Sequence, residues 1–135
     1  MSKLYAEEIH KRWQSEDKKN RKLIILRPGV VFGKGENGNF TRLYKSLKNR
    51  QFLYPGRKST KKAAIYVKDL VRLMLKMSQK EKPGVHLFNT VYHPIHDIKE
   101  ICETMCDVIN VKYPSYTIPS TILIFIAFLI SKLGK

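Results

Sequence analysis

This 135-residue chain is short of three things: acidic side chains, cysteine and long apolar stretches. Eleven Asp and Glu face 26 Lys and Arg, a formal net charge of +15. Such an imbalance excludes a preference for cationic partners and favours phosphates, polyanions or an acidic membrane surface. The two cysteines, Cys102 and Cys106, are too few for a disulfide framework. Four residues apart, they share one helix face and read as two thiols in a core, as in a reducing cytoplasm. The most apolar stretch, TILIFIAFLI at 121–130, rises only about 15 Å as a helix, half of a hydrocarbon core. It reads as a buried or interfacial helix. The opening MSKLYAEE is polar and charged, unlike the apolar core of a signal peptide. No internal repeat is visible, and 43% hydrophobic against 27% charged residues favours a globular chain over disorder.

What is present alternates. Tyr5, Ile9 and Trp13 recur every four residues and predict a helix over 2–15. KLIILRPGVVFG is rich in β-branched residues and predicts a buried parallel strand stopped by Pro28 and Gly29. GKGENGN follows, a loop in which a backbone can approach a ligand closely. Phe40, Leu43, Tyr44 and Leu47 mark a second helix, QFLYPG a short strand and AAIYV another. Asp69 is the expected N-cap of a third helix with Leu70, Met74 and Met77 inward. GVHLFNT is a strand, and Ile98, Ile101, Met105 and Val108 mark a fourth helix. The order predicts an α/β fold with a mostly parallel sheet. Few central strands are present, so the core reads as incomplete.

Four short motifs then fall in order: Ser2-Lys3-x-x-Ala6-Glu7, Leu26-Arg27-Pro28-Gly29-Val30-Val31-Phe32-Gly33, Gly38-Asn39-Phe40 and Ile65-Tyr66-Val67-Lys68-Asp69-Leu70. Together they resemble the extended short-chain dehydrogenase/reductases, and more narrowly the NAD-dependent epimerases and dehydratases of nucleotide-activated sugars. The resemblance covers Ser2 to about Thr90. It implies the second half of a Rossmann-like parallel sheet plus a small substrate-binding region, incomplete at the N-terminus. Residues 1–34 would end the dinucleotide-binding portion. Residues 35–135 would bind substrate, with the last Rossmann strand and helix interleaved and an apolar helix over 118–133.

The resemblance also implies roles. Lys3 matches the lysine of the family's Tyr-x-x-x-Lys motif, which holds the nicotinamide ribose and lowers the pKa of the tyrosine. Pro28, Gly29, Val30 and Val31 would wall the nicotinamide of NAD or NADP. Asn39 and Phe40 would meet a nucleotide-diphosphate sugar, with Arg57, Lys61 and Lys62 supplying charge at its phosphates. Val30 stands where many sugar epimerases have asparagine, and Lys62 where an arginine aligns. A lysine is a point charge without the arginine fork. Neither the tyrosine nor the family's GxxGxxG turn lies within the 135 residues. The expectation is therefore a fragment of an epimerase, dehydratase or reductase, inactive alone and a weak cofactor binder.

The helix bearing Lys3 would pair two copies in a homodimer. The alternative reading is a non-catalytic basic module that meets a partner, or the inner face of the cytoplasmic membrane, through its last helix, with Lys132 and Lys135 beside the bilayer. His93, His96, Cys102 and Cys106 fit no common zinc spacing, so no metal is expected. KKNRK and RKSTKK lack interleaved aromatics, so no specific nucleic-acid binding is expected either.

Overall fold

The computed structural model describes residues 2–133. Lys135, expected beside a membrane, lies outside them. The elements run α1 (Ser2–Ser15), β1 (Lys22–Pro28), β2 (Val30–Phe32), α2 (Asn39–Lys48), β3 (Tyr54–Pro55), β4 (Ala64–Tyr66), α3 (Val67–Lys80), β5 (Gly84–Thr90), α4 (Ile98–Ile109), β6 (Thr117–Ile118) and α5 (Ser120–Leu133). Every strand pairing is parallel: β1 with β5, β2 with β4 and β3 with β6. This is the expected α/β arrangement, in which parallel neighbours are reached through helical crossovers. The elements gather into two units, Met1–Gly33 with Ala63–His93, and Lys34–Lys62 with Pro94–Lys135.

In the first unit the apolar run 22–33 is two strands, not one. β1 pairs with β5 from Lys22 opposite Gly84 to Pro28 opposite Thr90. The chain then changes partner, and β2 pairs with β4. Gly29 makes the change: its N–H donates to the Thr90 carbonyl (3.2 Å), and the next N–H, of Val30, donates to that of Ala63 (2.8 Å). Pro28 does not stop the strand, because its missing N–H falls at the last pair of the ladder. β1 is half-buried and not buried, and β5 alternates, with Val85 and Leu87 exposed.

The third helix begins at Val67, so Asp69 lies inside its first turn and is not the N-cap. Met74, expected inward, is exposed, whereas Leu70, Leu73 and Met77 are half-buried. Tyr5, Ile9 and Trp13 are exposed on α1, and the helix buries Gln14 instead, whose Nε2 donates to the Arg21 carbonyl at 3.2 Å.

In the second unit α2 packs on α4 around Leu47, Tyr54, Cys102 and Cys106, with Leu43, Phe52, Ile98, Met105, Ile109 and Val111 against them. Both thiols are fully buried and unpaired by disulfide, as their spacing predicted. Val108, expected on the inner face, is exposed because the cysteines take that face. α4 ends where Asn110 turns left-handed at φ 54°, a cap that asparagine tolerates. Ile118 belongs to β6, and α5 starts at Ser120, after Pro119. Far from buried, α5 exposes Ile122, Ile124, Phe125 and Phe128. Among the described residues no helix is long and apolar enough to cross a membrane.

Candidate functional site

In the first unit α1 runs antiparallel to β1. Its last turn holds Arg21, which enters β1, through Gln14. Its second turn meets the far end of the strand, where the Arg27 guanidinium donates to the Glu7 carboxylate through Nε at 3.0 Å and through one terminal nitrogen. The pair holds the Glu7 carboxyl below its ordinary range and raises Arg27 further. Lys3 is one turn before Glu7 and exposed. On a helix a residue four positions earlier shares the same face, so Lys3 lies on the Glu7 side of α1, one turn beyond the contact with the end of β1. Glu7 and Arg27 lie in two of the sequence motifs, but only the fold joins them.

That edge is tightly built. A Cβ at Gly29 would lie 2.5 Å from the Ala63 carbonyl oxygen, so the backbone there admits no side chain. Pro28 is exposed, and Gly29, Val30 and Val31 are half-buried. Thr90, opposite Pro28, is buried, and its hydroxyl has no hydrogen-bond partner among the described residues. At the end of β2, Phe32 packs its ring 5.7 Å from that of Tyr66 and 6.5 Å from that of Tyr92, centre to centre. The Tyr92 hydroxyl donates to Asp69, and that hydrogen bond, with some desolvation, pushes the phenol pKa up. Tyr92 was not singled out by sequence, since it lies in a loop without a motif.

In the second unit Asn39 and Phe40 open α2, with Gly38 as an N-cap that offers no side chain. Glu36 takes over the capping: its carboxylate accepts from the Thr41 N–H (3.0 Å) and hydroxyl (2.8 Å), bonds that lower its pKa. The glycine-rich loop is therefore clamped onto the helix it precedes. Asn39 is exposed and Phe40 half-buried.

Arg57 and Lys62 flank a separate loop seated on the N-terminus of α4. The Thr60 and Lys58 carbonyls accept from the N–H groups of Ile98 (3.0 Å) and Lys99 (3.2 Å), and the His96 carbonyl accepts from the Lys62 N–H (2.9 Å). Asp97 and Glu100 complete a capping box. Helix N-terminal amides that would otherwise be unpaired thus hold a basic loop in shape. The signal was readable in the Asp-x-x-Glu spacing of residues 97–100. The side chains of Arg57, Lys61 and Lys62 are exposed, without an ion-pair partner among the described residues. Lys58 differs: its ammonium donates to the Ser115 carbonyl at 2.9 Å and lies over the Tyr54 ring. Among the described residues no group of three or more His, Cys, Asp or Glu is placed to hold a metal ion.

The strands pair in parallel with helices between them, and the chain belongs to the NAD dependent epimerase/dehydratase family, which matches residues 1–90. A curated relative is the N-acetyl-alpha-D-glucosaminyl-diphospho-ditrans,octacis-undecaprenol 4-epimerase of Escherichia coli O157:H7, 28% identical over 118 residues. The alignment takes in 87% of this chain and 36% of that protein, so the chain spans about a third of the relative's length. Similar solved structures include MoeE5 in complex with UDP-glucose and NAD (TM-score 0.70, 16% identity, 87% of this chain and 40% of that one). Another is the UDP-N-acetylglucosamine 4-epimerase from Bacillus cereus (TM-score 0.56, 19% identity, 78% of this chain and 40% of that one). At these identities the likeness to the solved structures is one of fold.

Proposed function

We propose that this chain is the C-terminal part of an NAD- or NADP-dependent enzyme that epimerises, dehydrates or reduces a sugar carried on a diphosphate. The observation that carries the reading is the Glu7–Arg27 pair, which ties α1 to the end of β1 one turn after Lys3, and the reading has Lys3 reach the carboxyl edge of the sheet. There its ammonium holds the cofactor ribose and favours ionisation of a tyrosine supplied from outside these 135 residues. Bound nicotinamide would supply hydride acceptance and return. The fit of that edge to such a group is supported by its buried Thr90 hydroxyl, without a hydrogen-bond partner among the described residues, beside a backbone too close for side chains. Pro28, Gly29, Val30 and Val31 wall the ring. The first unit serves the dinucleotide and the second the substrate.

On the substrate side, Asn39 and Phe40 meet the sugar diphosphate, and Arg57, Lys61 and Lys62 neutralise its phosphates. Lys62 acts there as a point charge. A nucleotide sugar and a polyprenol-linked sugar share that diphosphate, and the related proteins named above include one of each kind. Leu4, Tyr5, Ile9 and Trp13, exposed along α1, support pairing of two copies through this helix. Without the tyrosine and the glycine-rich turn, the chain alone turns nothing over.

The test is calorimetric titration of the purified chain with UDP-N-acetylglucosamine and with NAD at physiological salt, beside an epimerase assay. The expected result is binding of the sugar nucleotide without NAD, weak or no NAD binding, and no turnover. Turnover by the chain alone, or binding of neither ligand, overturns the reading.

A further inference from the structure

We infer that α5 is an in-plane docking helix for an anionic bilayer surface. Ile122, Ile124 and Phe125 are 48%, 69% and 61% exposed, on a helix that otherwise continues a folded unit. Fourteen residues of helix span about 21 Å, short of the ~30 Å hydrocarbon core, so α5 lies in the interface and does not cross it. At its C-terminal end Lys132 is exposed, with its ammonium 5.0 Å from the centre of the Phe128 ring. An ammonium on a long stem above an apolar face is the pattern of a side chain that keeps its charge among headgroups while its neighbours enter the acyl boundary.

Charge selects the occupant. Residues 34–62 of the same unit carry nine Lys or Arg against one acid, Glu36. One of them, the exposed Arg57, is brought towards the start of α5 by the β3–β6 pair. The two strands are parallel, and the Gly56 N–H donates to the Ile118 carbonyl at 3.0 Å. The chain therefore leaves β3 into Arg57–Lys62 at the same end at which it leaves β6 into α5. An apolar helix with Arg57 towards its start and Lys132 at its end, on a unit rich in Lys and Arg, matches acidic headgroups around an apolar interior. A second copy of this chain would bring the same positive charge to the same face and be repelled. The inference goes beyond the catalytic reading and does not depend on which sugar is bound.

The experiment is co-sedimentation of the full chain with phosphatidylcholine vesicles, with and without phosphatidylglycerol, in the absence of any sugar nucleotide. Sedimentation is expected only with phosphatidylglycerol, weakening as salt rises. The double variant Ile124→Glu/Phe125→Glu should lower vesicle affinity roughly tenfold or more, with helicity by circular dichroism and UDP-N-acetylglucosamine binding unchanged. A second variant, Ile124→Trp, should show an emission blue shift, after subtraction of the wild-type signal, on phosphatidylglycerol vesicles alone. Failure to sediment, equal binding to neutral vesicles, binding indifferent to the double variant or no blue shift would each overturn the inference. So would a lipid-free oligomer that the double variant dissociates, because α5 would then be covered by a second copy.

Discussion

Gly29 and Ala63 touch backbone to backbone: a methyl group on Gly29 would lie 2.5 Å from the Ala63 carbonyl oxygen and 2.6 Å from its carbon. The neighbour is main chain, so it cannot swing away. Gly29→Ala should therefore cost about 2–3 kcal/mol, at the upper end of overpacking effects. The denaturant midpoint of the purified chain measures it. A loss under about 0.5 kcal/mol, the range of ordinary surface changes, would mean that the crossing is looser than described.

The exposed Arg27 and the half-buried Glu7 form a surface pair whose expected role is placement of α1 more than stability. The Glu7 carboxyl titrates below its ordinary value of 4.5 when folded. Its contribution is therefore present above that value and lost as pH falls through the depressed folded one. Relative to the intrinsic rate at each pH, amide exchange across residues 2–15 should accelerate on acidification in the wild type. In Glu7→Gln it should already be fast at neutral pH. Equal exchange in both proteins at pH 7 would remove the pair as the link between α1 and the strand end.

Some of this organisation was open to sequence reasoning and some was not. β5 was legible to the residue, because GVHLFNT is a β-branched and aromatic run opened by Gly84. α1 was legible as a helix from four-residue spacing, and α4 from the three- and four-residue steps of Ile98, Ile101, Met105 and Val108. Their inner faces were less so, since Tyr5, Ile9, Trp13 and Val108 repeat like core residues yet are exposed. Periodicity reports a face and not what covers it. The exchange of partners at Gly29 left no trace in hydropathy, because Val30 to Phe32 continue the apolar run unbroken. The Glu7–Arg27 link spans twenty residues, and no local pattern encodes such a contact.

Cys102 is fully buried beside the Tyr54 hydroxyl, and burial pushes its thiol from 9.0 up to about 11. The folded state thus keeps a proton that the unfolded chain gives up between those values. Stability from this group is complete below pH 9 and is lost as pH rises towards 11. Urea unfolding at stepped pH should show that decline, shallower in Cys102→Ala. Both thiols should also resist a disulfide reagent in the native chain and react on unfolding. Rapid reaction of the native protein would contradict the burial.

Thr90 holds a buried hydroxyl with no hydrogen-bond partner among the described residues. Replacement by a shape-matched apolar side chain removes that desolvation cost, so Thr90→Val should be neutral or stabilising by about 1 kcal/mol. Thermal unfolding checks this. Destabilisation of similar size would show that the hydroxyl is satisfied in solution, by water or by a ligand.

The most direct test of the central claim is a nitrogen–proton correlation spectrum of the labelled chain titrated with UDP-N-acetylglucosamine. The account predicts saturable shifts at Asn39, Phe40, Arg57 and Lys62, abolished when Arg57 and Lys62 are both replaced by glutamate. Saturable shifts confined to other residues, or none at all, would contradict the assignment of this chain as the substrate-binding part of a sugar-diphosphate enzyme.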